Sequence, residues 1–214
     1  MRMRILAVAV ASAAVLAGAT AAAVSMPAKA ATAECQAVAA GACGSIDTPA
    51  GGYDLDVWKQ VAASDTPVKV WPQSTADRAE DWEAVVVPAG LSGYYQGLTD
   101  KLTWPTPATA VNLEYAPDGV ASGYCLSIIT STEYATTALR PCDAVTAANQ
   151  TFNQYQTFVR VAAADSDGSY TVYESVLTGY ALTVARHDTA GSLVVSAPVG
   201  AGGPSVDQLW EPNG

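Results

Sequence analysis

Three phrases of this 214-residue chain share one pattern: GGYDLDV at 51–57, SGYCLSI at 122–128 and TGYALTV at 178–184. Only the first places a carboxylate, Asp56, between its two apolar residues. A carboxylate facing outward from a strand either sits solvated or accepts hydrogen bonds from a ligand's hydroxyl groups. Other chemistry is scarce. His187 is the only histidine, which removes most metal sites and the Ser-His and Cys-His arrangements of nucleophilic catalysis. The 20 acids could hold a glycosidase-type carboxylate pair, yet no spacing singles one out. Asp165-Ser166-Asp167-Gly168 opens like a calcium loop but lacks the later Glu ligand, so it reads as an Asp-Gly hairpin turn. These residues predict no enzyme, no metal and no cofactor.

Arg2 and Arg4 precede an Ala/Val/Leu-rich run from Ile5 to Val24, with small-residue cleavage patterns at Ala28-Lys29-Ala30 and Ala31-Thr32-Ala33. Residues 1–30 therefore read as a secretory signal peptide, ahead of an uncleaved anchor, because the run is only weakly apolar. Loss of three cations with that segment takes the formal charge from −10 to −13, which argues against nucleic acid and anionic membrane surfaces as partners. Cys35, Cys43, Cys125 and Cys142 all lie beyond it, and an even count in an exported chain implies two disulfides. The remainder, roughly 180 residues, suits one domain. Asn149-Gln150-Thr151 matches a glycosylation pattern.

The elements that position Asp56 come from the repeat. Tyr53, Tyr124 and Tyr180 open the three phrases; Val68-Lys69-Val70, Thr137-Ala138-Leu139 and Leu193-Val194-Val195 follow, and each unit ends near an aromatic. Those aromatics are Trp82, then Phe152 or Phe158, then Trp210. Alternation of Leu55 with Val57, Leu126 with Ile128 and Leu182 with Val184 has the period of a half-buried strand and turns Asp56, Ser127 and Thr183 away from the core. Long capped helical patterns are missing after residue 34, so the chain reads as all-β.

Gln208-Leu209-Trp210, with Gln150-Thr151-Phe152 or Gln156-Thr157-Phe158 in the second unit and Glu80-Asp81-Trp82 in the first, resembles the Gln-x-Trp repeat of the ricin B-type lectin domain. The resemblance implies a β-trefoil of three units with pseudo-threefold symmetry over 51–214. Residues 31–50 form an N-terminal segment ahead of it, and an insertion near 92–107 departs from the family. It also implies a shallow sugar pocket per unit, built from an outward Asp, an aromatic platform and an amide near the signature. A carboxylate takes two vicinal hydroxyls while a flat ring packs on the C–H face of the sugar.

Carried onto this chain, Asp56 and Trp71 supply the first two elements in the first unit, while Glu80 stands for the amide with Asp77 nearby. The second unit has Ser127 and Arg140 in the corresponding places and the third has Thr183 and Ser196, so both read as scaffold. The family also implies a Cys125–Cys142 disulfide, worth about 3 kcal/mol by loop closure, which leaves Cys35 to pair with Cys43. The expected protein is a secreted, monomeric, carbohydrate-binding module with at most one pocket, whose partner is a glycan or polysaccharide. The alternative is a protein-interaction module, such as a protease inhibitor, acting through the Ser92–Pro107 loop.

Overall fold

A computed structural model describes residues 43–49, 52–72, 81–87, 109–143, 153–165, 168–187 and 189–213. Twelve strands run through them: β1 (Cys43–Asp47), β2 (Tyr53–Val57), β3 (Val68–Pro72), β4 (Trp82–Val86), β5 (Ala110–Tyr115) and β6 (Tyr124–Ile128), then β7 (Ala135–Pro141), β8 (Thr157–Asp165), β9 (Gly168–Ser175), β10 (Ala181–Val184), β11 (Val194–Ala197) and β12 (Glu211–Asn213). Helical structure among the described residues is confined to three-residue 3-10 turns. The all-β expectation holds.

The sheet order is β3-β2-β1-β4-β5-β6-β7-β11-β10-β9-β8, and pairing of β5 with β8 closes seven of these strands on one another. A second closed path runs β1-β4-β5-β8-β9-β12. Its last links are the β12–β1 ladder and two backbone hydrogen bonds, at 2.8 and 2.9 Å, between Thr171 of β9 and Trp210 just ahead of β12. Hairpins β2–β3, β6–β7 and β10–β11 stand off that path. A barrel carrying three hairpins is compatible with a β-trefoil. Strand β1 lies in the stretch the sequence set apart as 31–50, and it pairs with β2, β4 and β12.

The three hairpins repeat one another bond for bond. Leu55 faces Val70, Leu126 faces Leu139 and Leu182 faces Ser196. Bridges Pro67↔Ala138, Thr136↔Val195 and Leu193↔Lys69 then join the hairpins in a cycle. Backbone N–H groups of Asp65, Tyr134 and Gly191 donate to Leu139, Ser196 and Val70 at 2.9, 2.8 and 2.8 Å. All three donors have positive φ, at 67°, 57° and 75°, because the chain must reverse sharply before re-entering the cycle. Glycines 52, 123 and 179, at 60°, 79° and 72°, meet the same demand ahead of each repeated Tyr.

The apolar alternation reads through to burial. Leu55, Leu126 and Leu182 join Val57, Ile128 and Val184 in one core cluster with Trp82, Phe158 and Trp210. Phe158 is fully buried and so fills the aromatic place of the second unit; Phe152 lies outside the described residues. Cys125 and Cys142 are joined, across 17 residues. Cys35, half of the other expected pair, lies outside the described residues, as does the 92–107 insertion.

Candidate functional site

On the hairpin β2–β3, Asp56 stands directly opposite Lys69 and Asp54 directly opposite Trp71. Directly opposed residues share a face and alternate residues along a strand return to it, so these four side chains occupy the outer face. Leu55, Val57, Val68 and Val70 take the inner one. Trp71 is 44% exposed. Its ring rests against Gly191 of the third unit, where an added Cβ would lie 3.2 Å from the indole. The platform is therefore positioned from outside its own hairpin.

Asp56 departs from the sequence expectation in one respect. It lies outside the apolar core, as the alternation requires, yet it is buried, and its Oδ1 accepts the N–H of Val57 at 2.6 Å. Asp54 is buried still more deeply, and sequence reasoning passed over it, although the GYDLD phrase carries two acids at strand spacing. Beside them the ammonium of Lys69 sits 3.3 Å from the centre of the Trp58 ring, with Lys59 at 5.8 Å. Lys59 and Gln60 hold positive φ, at 57° and 55°, a strained pair that shapes the turn presenting Trp58. Glu80 and Asp77, the remaining expected site residues, lie outside the described residues.

The equivalent places in the other units differ. Hairpin register puts Arg140 at the Trp71 position of the second unit and Ala197, rather than Ser196, at that of the third. Ser196 instead faces the core beside Leu182, in the place of Val70 and Leu139. In the third unit Nδ1 of His187 lies 2.5 Å from Oδ1 of Asp207, and a void of about 10 Å³ adjoins the pair.

The second unit carries an open cleft of about 410 Å³ lined in part by Ser127, Arg140, Asp143, Asn153 and Tyr155. Its floor is held by Gln156, whose Nε2 donates to Pro141 O at 2.9 Å and whose Oε1 accepts from Asp143 N at 3.1 Å. Gln208 repeats this in the third unit, donating to Ala197 O and Pro198 O and accepting from Ser205 N. The Gln of the repeated signature is thus a brace between the end of a hairpin and the loop that follows it. No strand periodicity could have disclosed the cleft, because it depends on the separation of two loops.

No family model matches the sequence, and no curated protein matches it. Likeness appears in three dimensions. A designed threefold-symmetric protein, ThreeFoil, superposes with a TM-score of 0.58 at 15% identity, covering 80% of this chain and 98% of that one. The Rhizoctonia solani agglutinin follows at 0.52 and 13%, covering 82% and 96%. An exo-β-1,3-galactanase from Clostridium thermocellum gives 0.51 and 14%, covering 80% of this chain and 30% of the enzyme. At these identities the likeness is one of fold, and it joins this chain to proteins built on the same repeated all-β plan.

Proposed function

We propose that the chain is a secreted, non-catalytic, carbohydrate-binding β-trefoil of the ricin B-type kind, whose pocket lies on its first repeat. The observation that carries this reading is the outer face of β2–β3. There a carboxylate, Asp56, and a half-exposed indole, Trp71, stand on neighbouring strands, the combination that takes vicinal hydroxyls and the C–H face of a sugar ring. Glu80 and Asp77, which follow β3 in sequence and lie outside the described residues, are assigned to the same pocket by the resemblance to the Gln-x-Trp repeat. The cycle of three hairpins and the fold shared with an agglutinin support the trefoil assignment. The protein acts as a monomer on glycans and uses no cofactor.

A glycan array probed with the purified protein tests the reading. Retention of a defined group of glycans, lost in the Asp56→Asn variant, is the expected result. If no glycan is retained, or if Asp56→Asn binds the same glycans as the parent, the assignment of sugar binding to the first repeat is wrong.

A further inference from the structure

The cleft of the second unit has a composition that the first hairpin lacks. At the position of Trp71 it carries Arg140, and at that of Asp56 it carries Ser127, whose hydroxyl donates its proton to Cys125 O at 3.3 Å. The pair that would grip a neutral sugar by a carboxylate and an indole is therefore gone. In its place are a half-exposed guanidinium, the exposed ring of Tyr155, and Asp143 tied by Asn153 Nδ2 at 2.7 Å. Asn153 is itself fixed, since its Oδ1 accepts the N–H of Tyr155 at 2.9 Å. Cys142, next to Asp143, is pinned by the disulfide and by its N–H donating to Gly123 O at 2.8 Å. The polar rim is preformed.

We propose that this cleft binds a carboxylate-bearing sugar residue, a hexuronate, as a second site chemically distinct from the first; the proposal rests on the glycan-binding reading. Arg140 contributes one nitrogen, Nη2, to Asp65 at 2.6 Å, and that carboxylate is 65% exposed. A guanidinium has five N–H donors in two forked edges, so a ligand carboxylate joins or replaces Asp65 without stranding a buried charge. Surface ion pairs of this kind contribute little, so the exchange is easy. The ring face of the sugar packs on Tyr155, and its hydroxyls donate to the Asp143 carboxylate. Asp143 also repels a ligand whose carboxylate is turned the wrong way, which fixes the orientation of the bound residue.

D-Galacturonate and D-galactose differ at carbon 6 alone and form the matched probe pair. Amide chemical shifts of the purified protein, titrated with each sugar, locate and rank binding. The expected result is that galacturonate moves the amides around Asp143, Asn153 and Tyr155, binding about tenfold or more tighter there than galactose. Arg140→Gln at a half-exposed position and Tyr155→Ala at an exposed one remove that response while circular dichroism is unchanged, and Asp56→Asn leaves it intact. Equal response of the cleft to both sugars overturns the proposal. So does silence of the cleft up to concentrations on the order of 100 mM, well past the millimolar affinity of a shallow site. Neutral glycans bound at Asp56 with the cleft silent would sink this inference and leave the first-repeat reading standing. Galacturonate in the cleft with no effect of Asp56→Asn on any glycan would do the reverse.

Discussion

The indole N–H of Trp82 donates to the carbonyl oxygen of Leu55 at 2.8 Å, 27 residues away, and fastens the start of β4 to the middle of β2. Trp210 repeats the bond to Leu182 at 3.0 Å, whereas Phe158 has no N–H to offer in the second unit. Trp82→Phe removes the donor from a buried acceptor and is expected to cost about 1–3 kcal/mol, read as a lower midpoint in urea at unchanged slope. A midpoint equal to the parent's would show that the bond is replaced by water.

Asp56→Asn keeps an oxygen for the Val57 N–H and so preserves the turn, but replaces the second acceptor by a donor. Its glycan affinity should fall by about tenfold or more, as should that of Trp71→Ala, while Ser127→Ala and Thr183→Ala leave first-repeat binding as it is. Gly191→Ala is the sharper test. A methyl there meets the Trp71 ring at 3.2 Å and forces a side chain into φ of 75°, so affinity should drop together with about 1 kcal/mol of stability. Calorimetry and thermal unfolding on the same samples separate the two effects.

Ser196 occupies a core place that Val70 and Leu139 fill in the other hairpins, and its hydroxyl is buried with no hydrogen-bond partner. Removing an unmatched polar atom there should help the fold: Ser196→Ala is expected to raise stability by about 1 kcal/mol in chemical denaturation. A loss of stability would reveal a partner for that hydroxyl.

Burial pushes the Tyr173 phenol up to about 12, with the charge of Arg160 opposing the shift. A group whose pKa is higher when folded stabilises fully below its unfolded value, about 10, and loses that contribution as pH climbs toward 12. Unfolding free energy should therefore decline by about 2–3 kcal/mol across that window, and Tyr173→Phe should flatten the decline. Denaturation curves at pH 9, 10 and 11 would decide it.

Repetition was legible in the sequence, and with it the strand class and the core. Gly-Tyr-x-Leu-x-(Val/Ile) recurs because each copy must turn on a glycine of positive φ and then send alternate residues inward, and both demands act on neighbours in sequence. The aromatic ends were legible for the same reason, and Phe158, the candidate of the second unit that leads into Tyr170-Thr171-Val172, is fully buried. One strand ahead of the first phrase was harder to see. Strand β1 has few apolar residues, and its place is set by β12, at the far end of the chain.

The candidate sites divide along the same line. Asp56 and Trp71 share a face because strand register is local, and a sequence reader can count it. Three things depended instead on loops meeting in space: the support of Trp71 by Gly191 across two units, and, each within one unit, the capture of Asp207 by His187 and the cleft between Arg140 and Tyr155. Which residues alternate is a property of the backbone pleat and is written in the chain. How far two loops stand apart follows from the cycle of hydrogen bonds that draws the three hairpins together, and only the folded molecule decides it.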